Sequence, residues 1–288
     1  PVFDALRKKL GMTPKDFRQL LAKNTKVVET AMCDKNFDKI NYSHVPSVAM
    51  ARYRKAFSKH DCDRFGKWIA EVTAVQNGTA APDSKAKVNT GAIFPHDVLR
   101  TLYNEAKIDG YGNVMGKQNF KSDFVDNMFN ALPDYVSKDE QILPIIDFSG
   151  SMSTAASGSI SCRDVATSLG MYCSARINPS SPFHKVVIPF SNKARFVDWK
   201  NFPFSTAAIR LLVETEVANT DISAVFKLIL STAVQHKIPQ SDMPSVLLIL
   251  SDMQFNQGVN CGDDTVFEKF RKDFQKAGYT MPRVVFWN

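Results

Sequence analysis

An α/β unit on a mainly parallel sheet, preceded by an all-α region, is the fold class that this 288-residue sequence predicts. Three observations predict it. From about residue 141 onward, short all-apolar runs alternate with amphipathic helical stripes, the pattern of parallel strands covered on both faces. The first half carries apolar residues at helical spacing instead. Composition supplies the third: 44% hydrophobic residues, 23% charged residues and 21 Phe allow a sizeable core and exclude a mainly disordered chain. The domain division belongs near Pro133–Glu140, giving a helical region over 1–138 and an α/β domain over 139–288.

In the first half, Thr13-Pro14-Lys15-Asp16 starts a helix with a hydroxyl cap, a proline at the first helical position and an acid at the third. Phe17, Leu20, Leu21, Val27 and Val28 continue its stripe. A second helix runs from Pro46 to Phe57, and a third from near Asp61 places Phe65, Trp68, Ile69 and Val72 on one face. Gln76–Asn89 is small, polar and turn-rich and reads as a mobile loop. Pro95 opens a helix with Val98, Leu99, Leu102 and Tyr103. The glycine-bearing stretch Lys107–Lys117 reads as irregular, and a further helix carries Phe120, Phe124, Met128 and Phe129.

In the second half, Ile142–Ile146 is a strand ending at Asp147, followed by a Ser/Gly turn and a helix over 161–176 with Val165, Leu169 and Tyr172 inward. Lys185–Phe190 and Ala194–Trp199 read as strands. Ile222, Val225, Phe226, Ile229, Leu230 and Ala233 form a helical stripe. Val246–Leu250 is a strand ending at Ser251-Asp252, Asp264–Ala277 a helix, and Arg283–Trp287 a last strand.

No stretch approaches the roughly 20 apolar residues that a membrane-spanning helix needs, and Arg7, Lys8 and Lys9 interrupt any apolar leader at once. The five cysteines, Cys33, Cys62, Cys162, Cys173 and Cys261, are scattered and form no CxxC pair. That spacing argues against a zinc knuckle or a disulfide framework and for a reducing, cytoplasm-like compartment. Residues 1–67 hold 15 Lys/Arg against 7 Asp/Glu, so the chain's net +7 resides entirely there. Arg52, Arg54, Lys55, Lys59, Arg64 and Lys67 are the candidates for phosphate contact, against the plainer reading of a solvated helical surface.

Three polar clusters follow the elements that a parallel sheet brings together at its carboxyl edge: Asp147-Phe148-Ser149-Gly150-Ser151, Asn219-Thr220-Asp221 and Ser251-Asp252. They offer carboxylate and hydroxyl oxygens without thiolate or imidazole, a set suited to a hard cation, Mg2+ or Mn2+. A hydrolytic role for Ser149 or Ser151 lacks both a GxSxG elbow and a base at supporting spacing. His60-Asp61-Cys62-Asp63 looks like a metal string but is crowded at a helix start.

The pattern Asp147-x-Ser149-x-Ser151 after an apolar strand, with Thr220 and Asp252 in later loops, resembles a von Willebrand factor A domain with a metal-ion-dependent adhesion site. The resemblance implies that Ser149, Ser151 and Thr220 hold the metal, while Asp147 and Asp252 orient the serines and metal-bound waters. One coordination position would remain for an acidic group from a protein partner. The runs IDFSGSMS, NTDISAVFKLIL, LLILSDMQF and VVFWN, with INYSHVPSVAMARYRKAFSKHD and KVNTGAIFPHDVL before them, resemble a family of plants, large viruses and bacteriophages that joins this domain to a helical region. The two-part order is also similar to the TROVE module of the Ro autoantigen and its bacterial relatives, which bind RNA through helical repeats. About 140 residues are fewer than such a ring uses, and the family supplies one more strand and helix after Trp287-Asn288. The expected function is a non-enzymatic, metal-dependent binding protein that also engages RNA. The alternative is a structural or assembly component of a phage or virus particle.

Overall fold

The computed structural model describes residues 2–24, 27–108, 119–157, 160–191, 193–218, 221–253 and 266–288. Most of the stretch expected to be irregular, Lys107–Lys117, lies outside the described residues, as do Cys261 and the first two residues of the helix expected over Asp264–Ala277. The chain divides into two compact units, residues 1–89 and 90–288.

The described secondary structure of the first unit is helical: α1 (Val2–Lys9), α2 (Pro14–Asn24), α3 (Val28–Cys33), α4 (Ser47–His60) and α5 (Cys62–Gln76). The hydroxyl of Thr13 accepts the Asp16 N–H at 3.2 Å, the cap expected of a Thr-Pro start. Tyr42, Phe57, Phe65 and Trp68 interlock, with Tyr42 and Phe65 ring centroids 5.0 Å apart and Phe65 and Trp68 at 5.5 Å. Their polar tips stay partnered: the Tyr42 hydroxyl donates to Asp61 at 2.7 Å and Trp68 Nε1 to Ser43 Oγ at 3.0 Å. The segment expected to be a mobile loop is tied down instead. Ala86 and Val88 are buried. The Asn89 amide donates to the carbonyls of Ser43 and Val45 at 2.9 and 2.8 Å, and Ser84 Oγ donates to Glu71 at 2.6 Å. Polar turn residues serve here as anchors, because a coil that packs must find side-chain partners for its own backbone and its neighbours'.

The second unit contains α6 (Pro95–Ala106) and α7 (Asp123–Asn130), then β1 (Ile142–Asp147), β2 (Ala155–Ser157), β3 (Ile160–Ser161), α8 (Cys162–Arg176), β4 (Val186–Phe190), β5 (Val197–Asp198), α9 (Phe204–Glu214), α10 (Ile222–Gln235), β6 (Val246–Leu250), α11 (Val266–Lys276) and β7 (Arg283–Trp287). The central sheet has the order β5-β4-β1-β6-β7, and β2 pairs with β3 apart from it. β1 is parallel to β4 and β6, β7 is parallel to β6, and only the two-residue β5 runs antiparallel, on β4. The α/β architecture with a mainly parallel sheet is therefore present. Of the strand expected over Ala194–Trp199, only Val197–Asp198 is extended and paired as a strand; Ala194 makes an isolated bridge to Phe190.

One face of the sheet packs Leu143, Ile145, Ile188, Leu247 and Ile249 against Ile222, Phe226 and Ile229 of α10 and Phe270 and Phe274 of α11. The other face carries α8, whose inward residues differ from the expectation. Val165 and Leu169 are only half-buried, whereas Ala166, Thr167, Ser168, Gly170 and Cys173 are buried beside Tyr172. Small residues let the helix lie close on the sheet. At Gly170 an added Cβ would stand 2.8 Å from Ile146 Cδ1 and 3.1 Å from Leu250 Cδ1.

Helix α9 is an addition to the elements that the sequence pattern predicts. It stacks Phe204 on Phe129 of α7 at 3.9 Å, and its N-terminus is fixed by Asp126 of α7, which accepts the Ser205 N–H at 2.8 Å and its hydroxyl at 3.0 Å. α6 is joined to α8 by the Tyr103 hydroxyl, which donates to Asp164 at 2.5 Å. After β1 the chain passes through α8 to β4 on one side of β1, then reaches β6 on its other side. The crevice at the carboxyl ends of β1 and β6 is thus the switch point at which sheets of this kind take ligands.

Candidate metal centre

The register Ile146↔Leu250 sets Asp147 and Ser251 side by side where β1 and β6 end. Asp147 is fully buried, Ser149 and Ser251 are buried, and Ser151 and Asp252 are partly exposed. Both carboxylate oxygens of Asp147 are engaged: Oδ1 accepts the Ser149 N–H at 2.8 Å and Oδ2 accepts the Ser251 hydroxyl at 2.6 Å. Asp147 therefore braces the turn from behind. The turn in front of it brings the hydroxyls of Ser149 and Ser151 to 3.0 Å of each other.

Electrostatics set a demand at this point. Burial is the largest influence on Asp147 and pushes its carboxyl above the usual range. The hydrogen bonds from Ser251 and Ser149 oppose that shift, and repulsion from the Asp252 carboxylate adds to it. Two acids within electrostatic reach, one without solvent, are best compensated by a positive charge between them.

The donor set fits a hard cation. Octahedral Mg2+ holds oxygens at about 2.0–2.1 Å, which places adjacent ligands about 2.9 Å apart, close to the observed separation of the two serine hydroxyls. Among the described residues no group of three or more His, Cys, Asp and Glu side chains converges, so a centre here depends on hydroxyls as well as acids. The string His60-Asp61-Cys62-Asp63 has a structural use instead, since Asp61 accepts from the Tyr42 hydroxyl and pairs with Arg64 at 2.8 Å.

Thr220 and Asn219 lie outside the described residues. Their described neighbours approach the turn: Gly150 N–H donates to the Ala218 carbonyl at 3.2 Å, Ser149 and Ala218 form a parallel bridge, and Asp221 N–H donates to the Ser191 carbonyl at 2.9 Å. Asp221 then caps α10, accepting the Ser223 N–H at 2.9 Å. Asp147, Ser149, Ser151 and Asp252 are thus brought to one edge. Ser251 belongs to the third polar cluster but not to the expected ligand set; its role as the brace of Asp147 rests on strand register, which no local motif reveals. Met152 is a further such residue, since its sulfur accepts the Asp252 N–H at 3.3 Å and holds the second loop against the first.

The six basic candidates separate in the first unit. Arg52, Lys55 and Lys59 are exposed at positions i, i+3 and i+7 of α4, one face of the helix, and Lys67 is exposed on α5. Arg54 is buried and donates to the Ala51 carbonyl at 2.5 Å. Arg64 donates to the carbonyls of Phe37 and Ile40 at 2.8 and 2.9 Å and stands over the Tyr42 ring at 5.6 Å. Arg54 is thus withdrawn into the packing of the unit, whereas Arg64 stays 44% exposed while its guanidinium is engaged by these carbonyls and by Asp61. None of the helices is long and apolar enough to cross a membrane among the described residues.

The chain is 28% identical over 300 aligned residues to an uncharacterised protein of Acanthamoeba polyphaga mimivirus. The match covers all of this chain and 48% of that protein, so the chain spans about half the length of its viral relative. Residues 5–133 match a family described as a domain of unknown function (DUF2828). The remaining half, with every residue of the centre just described, matches the domain of unknown function DUF7788 over residues 141–288, and the chain belongs to that family.

Proposed function

We propose that this is a non-enzymatic binding protein whose residues 139–288 form a von Willebrand factor A-type domain, preceded by a TROVE-like helical region over 1–138. In this reading Ser149, Ser151 and Thr220 hold Mg2+ or Mn2+, and Asp147 and Asp252 orient them. The ion, when bound, supplies a coordination position for an acidic group of a protein partner. The observation that carries the reading is the pair of serine hydroxyls 3.0 Å apart in front of a buried, doubly hydrogen-bonded Asp147. Titration calorimetry with MgCl2 tests it: the natural protein should bind one ion and Asp147→Ala none. Equal heats from both proteins would overturn the reading.

A second activity, RNA binding by the helical region, is favoured by the exposed row Arg52, Lys55 and Lys59. Its signature is binding that weakens steeply with salt. The viral relative favours a role in a phage or virus particle as the alternative, which stoichiometric presence in purified particles would support.

A further inference from the structure

The helices α10 and α11, which cover one face of the sheet, leave a groove of about 580 Å³ between them. Leu230, Ser231 and Val234 of α10 line one side, Ala277 of α11 lines the other, and Phe270, only 3% exposed, lies at the bottom. A helix packed on a sheet ordinarily turns charged residues toward water on its outer side. α10 does not: Lys227 is the only charged residue in its fourteen, and Val234 is 51% exposed. The groove is preformed, because Phe270 stacks on Phe226 at 4.7 Å and the Tyr279 hydroxyl, just beyond α11, donates to the Ile238 carbonyl, just beyond α10, at 2.9 Å.

The charge around this apolar floor is one-sided. Lys227 and Lys269, one from each helix, line the groove, and among the described residues neither forms an ion pair. Asp273, the acid on the lining, already has Lys276 at 4.0 Å. α11 as a whole carries four basic residues against two acidic ones.

We propose that this groove docks an amphipathic helix of a partner protein, with an apolar stripe flanked by Asp or Glu. A groove between two helices accepts the side-chain ridge of a third. From Lys227 to Gln235 the wall runs about 12 Å, two helical turns, so the partner's anchors stand at i, i+3 or i+4, and i+7. The acids follow from the two unpaired lysines, which attract an acidic helix and repel a basic one. A bilayer would need apolar groups that project outward, whereas Phe270 lies at the bottom of a concave surface. The site is distinct from the candidate metal centre and needs no ion.

The test is a displayed library of helical peptides about 15 residues long, panned on the whole chain in EDTA. Leucine is fixed along one stripe, and the flanking positions vary among Glu, Gln and Lys. The expected result is enrichment of Glu at the flanks. The selected peptides should bind Val234→Glu, whose new charge enters the groove, at least about tenfold more weakly. The double variant Lys227→Glu/Lys269→Glu should turn the preference from Glu to Lys, which a misfolded protein would not do. Failure to enrich any peptide, enrichment without a charge preference, or undiminished binding by Val234→Glu would overturn the proposal. Self-association of the whole chain that Val234→Glu abolishes would assign the groove to a second copy, and co-sedimentation with anionic lipid vesicles that Val234→Glu abolishes would assign it to a membrane; either would overturn the proposal as well.

Discussion

The Ser251 hydroxyl, at the end of β6, donates to Asp147 Oδ2, at the end of β1, across 2.6 Å of buried space. It ties the two strands that flank the switch point and satisfies half of a carboxylate that has no solvent. Ser251→Ala leaves that oxygen unpaired, which costs about 1–3 kcal/mol. Denaturant unfolding should show this loss in EDTA. Calorimetry should show weaker Mg2+ binding, because Asp147 is freed to rotate away from the serine turn.

Gly170 allows α8 to lie on β1 where the strand reaches Asp147. The methyl of Gly170→Ala would meet Ile146 Cδ1 at 2.8 Å and Cγ1 at 2.9 Å, inside a fully buried contact. Overpacking of this kind costs about 1–3 kcal/mol, partly offset by the roughly 1 kcal/mol that alanine gains over glycine within a helix. A net loss of about 1 kcal/mol is expected in urea unfolding. Ile146→Val removes Cδ1 but keeps Cγ1, so Gly170→Ala should cost less in that background than in the natural protein, and the double variant should be more stable than the sum of the two single losses predicts.

What the sequence discloses follows from how local each signal is. β1 and its turn are legible because an apolar run followed by Asp-x-Ser-x-Ser is contiguous, and the parallel sheet because its strands are apolar throughout. α9 escapes the pattern although Pro203 precedes it and Phe204, Ala207, Ala208, Ile209 and Leu211 are buried along it. Its apolar residues are spread over nearly all of its first turns rather than one stripe, and the periodicity is correspondingly blurred. The inward face of α8 differs from expectation because bulk is a poor sign of burial there: close approach to the sheet selects the small residues Ala166 and Gly170. Arg54 and Ser251 are beyond local reading, since a buried guanidinium and a bond between two strands become visible only when distant segments are placed together.

Asp126 introduces a pH dependence away from the centre. Its carboxyl is held in the core beneath the N-terminus of α9, and burial pushes its pKa up to about 6 despite the opposing hydrogen bonds from Ser205. The unfolded chain binds this proton only below about 3.9. The folded state therefore holds the proton more tightly, and its stabilising effect is complete below about pH 4 and fades as pH rises through about 6. The span is worth up to about 3 kcal/mol. Asp126→Asn keeps an acceptor for the Ser205 N–H without a charge. Unfolding free energies measured between pH 4 and 7 should fall more steeply for the natural protein than for the variant; parallel curves would show that Asp126 does not titrate in that window.

The basic residues of the first unit divide by geometry into two kinds with opposite expected phenotypes. Arg52, Lys55 and Lys59 share an exposed face of α4, and among the described residues none of them forms an ion pair. Replacing the three by glutamine should leave thermal stability nearly unchanged. If the face engages phosphates, the slope of log affinity for single-stranded RNA against log salt should flatten by about 0.7 for each phosphate no longer neutralised. Arg64→Ala should do the reverse. It removes the bonds to the Phe37 and Ile40 carbonyls and the pair with Asp61, for a loss of about 1–3 kcal/mol in unfolding free energy, while the salt slope stays where it was. A triple variant with an unchanged slope would identify the α4 face as a solvated surface and end the case for phosphate recognition there.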